Sequence, residues 1–120
     1  MRPKILTIIN ESETSPAERF QNITLRPILK MQNDLLVEIF KQYIEKRKGV
    51  YHQLSTPKRK EYIQKSIQQD LKFKNFLIGI IVGQFTLDEW MLYQPQEKEL
   101  IRRMTTMMIQ RLQDQMLTAN

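Results

Sequence analysis

The stretch that opens with Ser15-Pro16-Ala17-Glu18 and closes with Lys46-Arg47-Lys48-Gly49 decides the fold. Serine accepts from amides a turn ahead, proline at the first helical position has no amide hydrogen to leave unpaired, and the glutamate can bond back. Apolar residues then recur at Phe20, Ile23, Ile28, Leu35, Leu36, Ile39, Phe40, Tyr43 and Ile44, largely at the three-and-four spacing of a buried helical stripe. A cationic last turn followed by Gly49, which is free to adopt a left-handed cap, ends the segment. Pro27 lies inside the pattern, where it removes an amide donor and crowds the preceding turn, so a first helix kinked or split there is expected.

Working outward, Thr56-Pro57 repeats the start signal. Tyr62, Ile63, Ile67, Leu71, Phe73 or Phe76, Leu77 and Ile80 continue at helical spacing, with a break expected near Asp70. Thr86-Leu87-Asp88-Glu89 is a further capping box, opening a short turn with Trp90 and Tyr93 that ends before Pro95. A last helix from about Pro95 sets Leu100, Ile101, Met104, Met108 and Leu112 on one face. The expected architecture is all-α: about four helices in an up-down bundle, antiparallel in sequence order. Residues 1–14 form a flexible N-terminal arm and linker, and residues 15–120 a single helical domain.

Composition agrees. The chain has 120 residues, 41% hydrophobic and 27% charged, with three glycines and five prolines, which suits one helical core and is too apolar for intrinsic disorder. It has no cysteine, so disulfides, thiolate metal sites and cysteine nucleophiles are ruled out. Met1 to Ile9 has a basic start and a short apolar piece, Ile5 to Ile9, without the features of a secretory signal, and a cytoplasmic location is expected. The longest apolar run, Phe76 to Gly83, is about half of the ~20 residues that cross a bilayer. No membrane association is expected. The net charge of +6 favours phosphates, nucleic acid or an acidic protein as partner.

Length bears on assembly. A straight helix from Pro16 to Lys48 would extend ~50 Å at 1.5 Å per residue, against a radius of gyration of ~14 Å for a compact chain of this size. Either Pro27 folds the first turns back or a second subunit covers the overhang, and a homodimer is expected. Its interface is read at Phe76, Gly79, Ile80, Gly83, Trp90, Tyr93 and Met107, where Gly79 and Gly83 lie on one face and permit tight helix packing.

The sharpest chemical feature is basic. Lys46, Arg47 and Lys48 end one helix and Lys58, Arg59 and Lys60 begin the next, so an antiparallel hairpin would bring six cations to one tip as a polyanion site. The second triplet stands at the positive end of a helix dipole, an unfavourable place without a function. Catalytic signals are sparse. His52 is the single histidine, which removes any multi-histidine metal centre. Asp34 and Glu38 share a helix face and would be half of a carboxylate site, but no second pair completes it and such residues are more often surface charges; no phosphate loop, nucleophile elbow or triad spacing occurs. No catalytic residue, metal or cofactor is expected.

The stretches Thr24-Leu-Arg-Pro-Ile-Leu-Lys-Met-Gln-Asn-Asp-Leu-Leu36 and Ile81-Val-Gly-Gln-Phe-Thr-Leu-Asp-Glu89 resemble a family of short bacterial proteins, some of which carry an automatic glyoxalase label. Metal-dependent glyoxalases use repeated β-rich modules with histidine and glutamate ligands. A helical chain with one histidine departs from that pattern, and no family residue is carried over. The leading expectation is a non-enzymatic protein-interaction or regulatory module. The alternative is nucleic-acid or other polyanion binding at the basic tip. A third expectation, an enzyme or small-ligand binder, would be built around Trp90, Tyr93, Asp34 and Glu38.

Overall fold

The structure, a computed structural model, describes residues 14–118. The arm expected over residues 1–14 therefore lies, apart from Thr14, outside the described residues. All the regular elements described are helical: α1 (Pro16–Phe20), a π-helical turn (Gln21–Leu25), α2 (Arg26–Met31), α3 (Asn33–Lys46), α4 (Thr56–Gln69), α5 (Leu71–Val82), α6 (Leu87–Tyr93) and α7 (Glu97–Thr118), with 3₁₀ turns at Val50–Gln53 and Gln94–Gln96. The first three α-segments run on as one rod, so the described residues form five helices rather than about four. The extra one arises at Asp70, which separates α4 from α5.

Ser15 caps α1 as its sequence requires, its hydroxyl accepting from the Glu18 amide at 3.1 Å. Ahead of Pro27 the ladder widens, and the Arg26 amide reaches back to the Gln21 carbonyl. A π turn gives the proline ring room without ending the rod. Gln32 is a second irregularity, at φ −93 and ψ 7, yet hydrogen bonds of 2.9 Å continue through it, from its amide to Ile28 and from Leu36 to its carbonyl.

The overhang anticipated for so long a rod is covered inside the chain. The 22 residues of α7 extend ~33 Å and lie along the first half of the rod in the same chain direction: Arg103 meets Gln21 at 2.7 Å and Arg111 meets Asn33 at 3.1 Å. The molecule is correspondingly long, 47 × 26 × 26 Å, with a radius of gyration of 15.4 Å. Leu100, Met104, Met108 and Leu112 form the buried seam of α7 against α3, α4, α5 and the π turn. Ile101 stands half-buried beside it.

The passage from α3 to α4 departs from the expected antiparallel hairpin. A Schellman closure ends α3, with the Gly49 amide on the Ile44 carbonyl at 3.1 Å and the Lys48 amide on Glu45 at 3.0 Å. Lys48 (φ 62) and Gly49 (φ 65) are both left-handed, and they turn the chain back along α3. As a result α4 starts beside the beginning of α3, where Arg59 shares a cleft with Asp34 and Glu38, and ends beside its close, where Asp70 meets Tyr43 and Arg47. The two helices are parallel. A connection as long as residues 47–55 reaches back along a helix, whereas a tight turn would force an antiparallel pair.

Asp70 fastens this arrangement. Its carboxylate caps α5 through the Phe73 amide (3.1 Å), accepts the Tyr43 hydroxyl (3.0 Å) and pairs with Arg47 (2.8 Å). The Arg47 guanidinium lies 3.6 Å from the centre of the Tyr43 ring, which itself stacks on Phe73 at 3.9 Å.

Two stability predictions follow from these corners. A non-glycine residue in the left-handed region costs ~1 kcal/mol, so Lys48→Gly should raise unfolding free energy by about that amount in urea melts, and no gain would contradict the strain. The Phe73 amide first, then the Tyr43 hydroxyl and the Arg47 guanidinium, hold the Asp70 carboxyl below its ordinary 3.8. Its stabilising contribution is therefore complete above that value and is lost as pH falls through the lowered one. Asp70→Asn should unfold more readily at neutral pH and lose less of its stability between pH 7 and strong acid than the parent chain.

Candidate functional site

The six basic residues do not meet at one tip. Because α3 and α4 run parallel, Lys46, Arg47 and Lys48 lie at the corner with Asp70, while Lys58, Arg59 and Lys60 lie beside the first turns of α3. Both arginines are engaged internally. Arg47 is taken by Asp70 and Tyr43. Arg59 donates to the backbone carbonyls of Tyr51 (3.2 Å) and His52 (2.7 Å), with its guanidinium 5.0 Å from the Tyr51 ring centre. It thereby pins the returning segment to α4. Lys46, Lys48, Lys58 and Lys60 remain exposed, as two separated pairs.

Asp34 and Glu38 do share a cleft, of about 560 Å3, with Lys41, Tyr51, His52 and Arg59. Its carboxylates, its lysine and its histidine are occupied with neighbours. Glu38 pairs with Lys41 at 3.5 Å, Asp34 accepts from the Asn33 amide at 3.2 Å, and His52 turns to Glu45 at 2.7 Å. Among the described residues no three histidine, aspartate or glutamate side chains come close enough together to hold a metal ion.

Trp90 and Tyr93 belong to a different cluster, with Phe20 and Phe85. The Tyr93 ring centre is 5.5 Å from that of Trp90, 5.3 Å from Phe85 and 6.4 Å from Phe20. Asp34, Glu38, Trp90 and Tyr93 therefore do not form one site. A second aromatic group, Phe40, Tyr43, Tyr51, Tyr62 and Phe73, joins α3, the return segment, α4 and α5. Within it the buried hydroxyls of Tyr51 and Tyr62 have no hydrogen-bond partner among the described residues.

The residues read as an interface divide. Tyr93 is inside, Trp90 and Ile80 are half-buried, and Met107 lines a cleft along α7. Phe76, Gly79 and Gly83 face outward. A side chain built on Gly79 would meet no described atom within 4 Å, so the tight internal packing expected of the glycine pair is not made there. The outward apolar residues of α6 went unnoticed in the sequence: Leu87 is 76% exposed, and Met91 and Leu92 are each 61% exposed. Their signal was present, since Leu87 to Tyr93 has large apolar residues on both sides of a helical wheel. Leu92 also joins Phe20 and Ile23 in a groove of about 330 Å3.

Among the described residues, no helix is long and apolar enough to cross a membrane. Comparison with known proteins gives no match to this chain from any family model, curated protein or solved structure.

The aromatic clusters set the behaviour of the four tyrosines at high pH. Burial raises the phenols of Tyr43, Tyr51 and Tyr62 above the ordinary 10.0, and Tyr93 is pushed up to about 12 by burial first and by the Glu97 carboxylate beside it. Stability that depends on these neutral phenols is present below pH 10 and is lost as pH rises through the raised values. In a spectrophotometric titration, phenolate absorbance should stay flat through pH 10 and rise above it together with loss of helicity. A reversible phase centred at pH 10 in the folded protein would be inconsistent with the buried clusters.

Proposed function

We propose that the protein is a non-enzymatic interaction module that associates with a second copy of itself through the outer face of α6. The observation supporting this reading is that α6 is apolar on both sides. Tyr93 turns inward to Phe20 and Phe85 with Trp90 packed on its ring, while Leu87, Met91 and Leu92 turn outward with most of their surface in water. A surface helix of a monomer ordinarily has one apolar stripe, and large exposed apolar groups mark association sites. Glu89 is engaged in the capping box with Thr86, which leaves Asp88 as the charged residue of the outer face.

Burying one such side chain contributes ~2 kcal/mol. A two-fold contact would bury the same three from each copy, because an isologous interface uses one patch twice. Phe76, 55% exposed, and the open Gly79 give α5 a further apolar face on which a partner helix can approach closely. A cytoplasmic setting belongs to the same reading, since a chain without cysteine is indifferent to reducing conditions. An acidic protein, drawn by the charge of +6, is the alternative partner.

Light scattering on a size-exclusion column should give the mass of two chains for the parent protein. Leu87→Asp combined with Met91→Asp should shift it to one chain at unchanged far-ultraviolet circular dichroism, with a dissociation constant raised by at least about tenfold. A parent protein that elutes as a monomer at high concentration would overturn self-association. Nucleic acid co-eluting at low salt, and released by Lys→Gln changes at 46, 48, 58 and 60, would transfer the reading to the exposed lysines.

A further inference from the structure

Between α2 and α7 lies a cleft of about 480 Å3 whose lining is divided by chemistry. Its floor holds Leu29, 1% exposed, and the half-buried Met107. Its walls hold Arg26 and Lys30 from α2 and Arg111 from α7, against the single carboxylate of Asp114. Three cations against one anion leave the lining with a charge of +2.

The two guanidiniums are positioned without being neutralised. Arg26 donates from Nε to the side-chain oxygen of Asn22 at 2.9 Å, and Arg111 donates from Nη1 to that of Asn33 at 3.1 Å. Both acceptors are uncharged amides. Asn33 is itself fixed, its amide nitrogen donating to Gln115 at 3.3 Å and to Asp34 at 3.2 Å, so its oxygen stays turned to Arg111. The Asp114 carboxylate accepts from Gln110 at 3.1 Å. Other arginines in this chain do take carboxylates: Arg47 pairs with Asp70, and Arg102 and Arg103 pair with Glu99. Arg26, Lys30 and Arg111 pair with none among the described residues, although all three border one concavity.

We infer that this cleft binds a small phosphorylated molecule, with the phosphate between the Arg26 and Arg111 guanidiniums and an apolar body on Leu29 and Met107. A guanidinium offers a planar fork of donors that matches phosphate oxygens, and one held by a neutral amide keeps its full charge for them. A phosphate monoester carries about −1.5 to −2 at neutral pH, which complements the lining more closely than a singly charged carboxylate does. The volume lies within the ~300–1,000 Å3 of small-ligand pockets. The site is separate from the exposed lysine pairs, and its recognition chemistry is that of a defined pocket rather than of a diffuse basic surface.

Phenyl phosphate is the probe, titrated into the full chain by calorimetry, with inorganic phosphate and benzoate as comparisons. Saturable binding is expected, tighter for phenyl phosphate than for either comparison. Arg26→Gln and Arg111→Gln should each weaken it by about tenfold, the loss of one charged hydrogen-bonding partner. Lys30→Gln, an exposed change that leaves packing intact, should weaken it by a smaller factor, and Lys58→Gln should leave it unaltered. Absence of saturable binding at millimolar probe, benzoate binding as tightly as phenyl phosphate, or equal losses in Lys58→Gln and Arg26→Gln would each overturn the assignment. Circular dichroism on every variant separates loss of the site from loss of the fold. Should Arg111→Gln unfold, Arg26→Gln and Lys30→Gln decide the question.

Discussion

The carboxylate of Asp70 holds the corner on which the rest of the arrangement depends. It ends α4 and caps α5, and through Tyr43 and Arg47 it ties both to the close of α3. A buried or half-buried carboxylate is stable only when its oxygens are well supplied with donors. Here an amide of α5 and, from the close of α3, a hydroxyl and a guanidinium supply them. Because Arg47 also covers the Tyr43 ring, which stacks on Phe73, the polar corner and the aromatic cluster stabilise each other. Without the corner, the ring contacts of Tyr43 and Phe40 with Phe73 are left to hold the end of α3 to the start of α5.

That corner also redistributes the charge. Two arginines that look like part of a basic surface are structural fasteners: Arg47 at the Asp70 corner, and Arg59 on the carbonyls of the return segment. Planar guanidiniums suit such roles, since they satisfy several acceptors while stacking on a ring. The lysines beside them, lacking the fork, remain in solvent. A net charge of +6 is therefore distributed rather than focused. Three cations that pair with no carboxylate among the described residues border one concavity elsewhere, between α2 and α7.

The two surfaces with functional promise owe their character to the same long pairing of the rod with α7. Laying α7 along the rod closes the core with Leu100, Met104, Met108 and Leu112, and leaves the α2–α7 cleft on its flank. At the other end of α6, the 3₁₀ turn at Gln94–Gln96 leads directly into α7, so α6 is held against Phe20 by its inner aromatics. Its outer leucines and methionine then keep most of their surface in water. The outer face and the cleft are independent in chemistry, one apolar and one cationic, and one molecule can use both.

Local signals carried much of this fold. Ser15 with Pro16, and Thr86 with Glu89, form the caps their spacing requires, and the α7 stripe is buried where its period placed it, because capping and amphipathic patterning act over one or two turns. The break at Asp70 was legible for the same reason. The direction of α4 was not, since it depends on how far the connection after Lys48 travels: Gly49 announces a left-handed cap, but neither the left-handed Lys48 beside it nor the Arg59 clasp has a short-range signature. With that direction went the fate of the six basic residues. Arg26 and Arg111 are 85 positions apart in the chain, and only the register between the rod and α7 brings them to one cleft. Sequence determined which residues become helical and which faces are buried, through forces that act within a turn or two; tertiary structure decided which charges meet, because that depends on long-range pairings that no local spacing encodes.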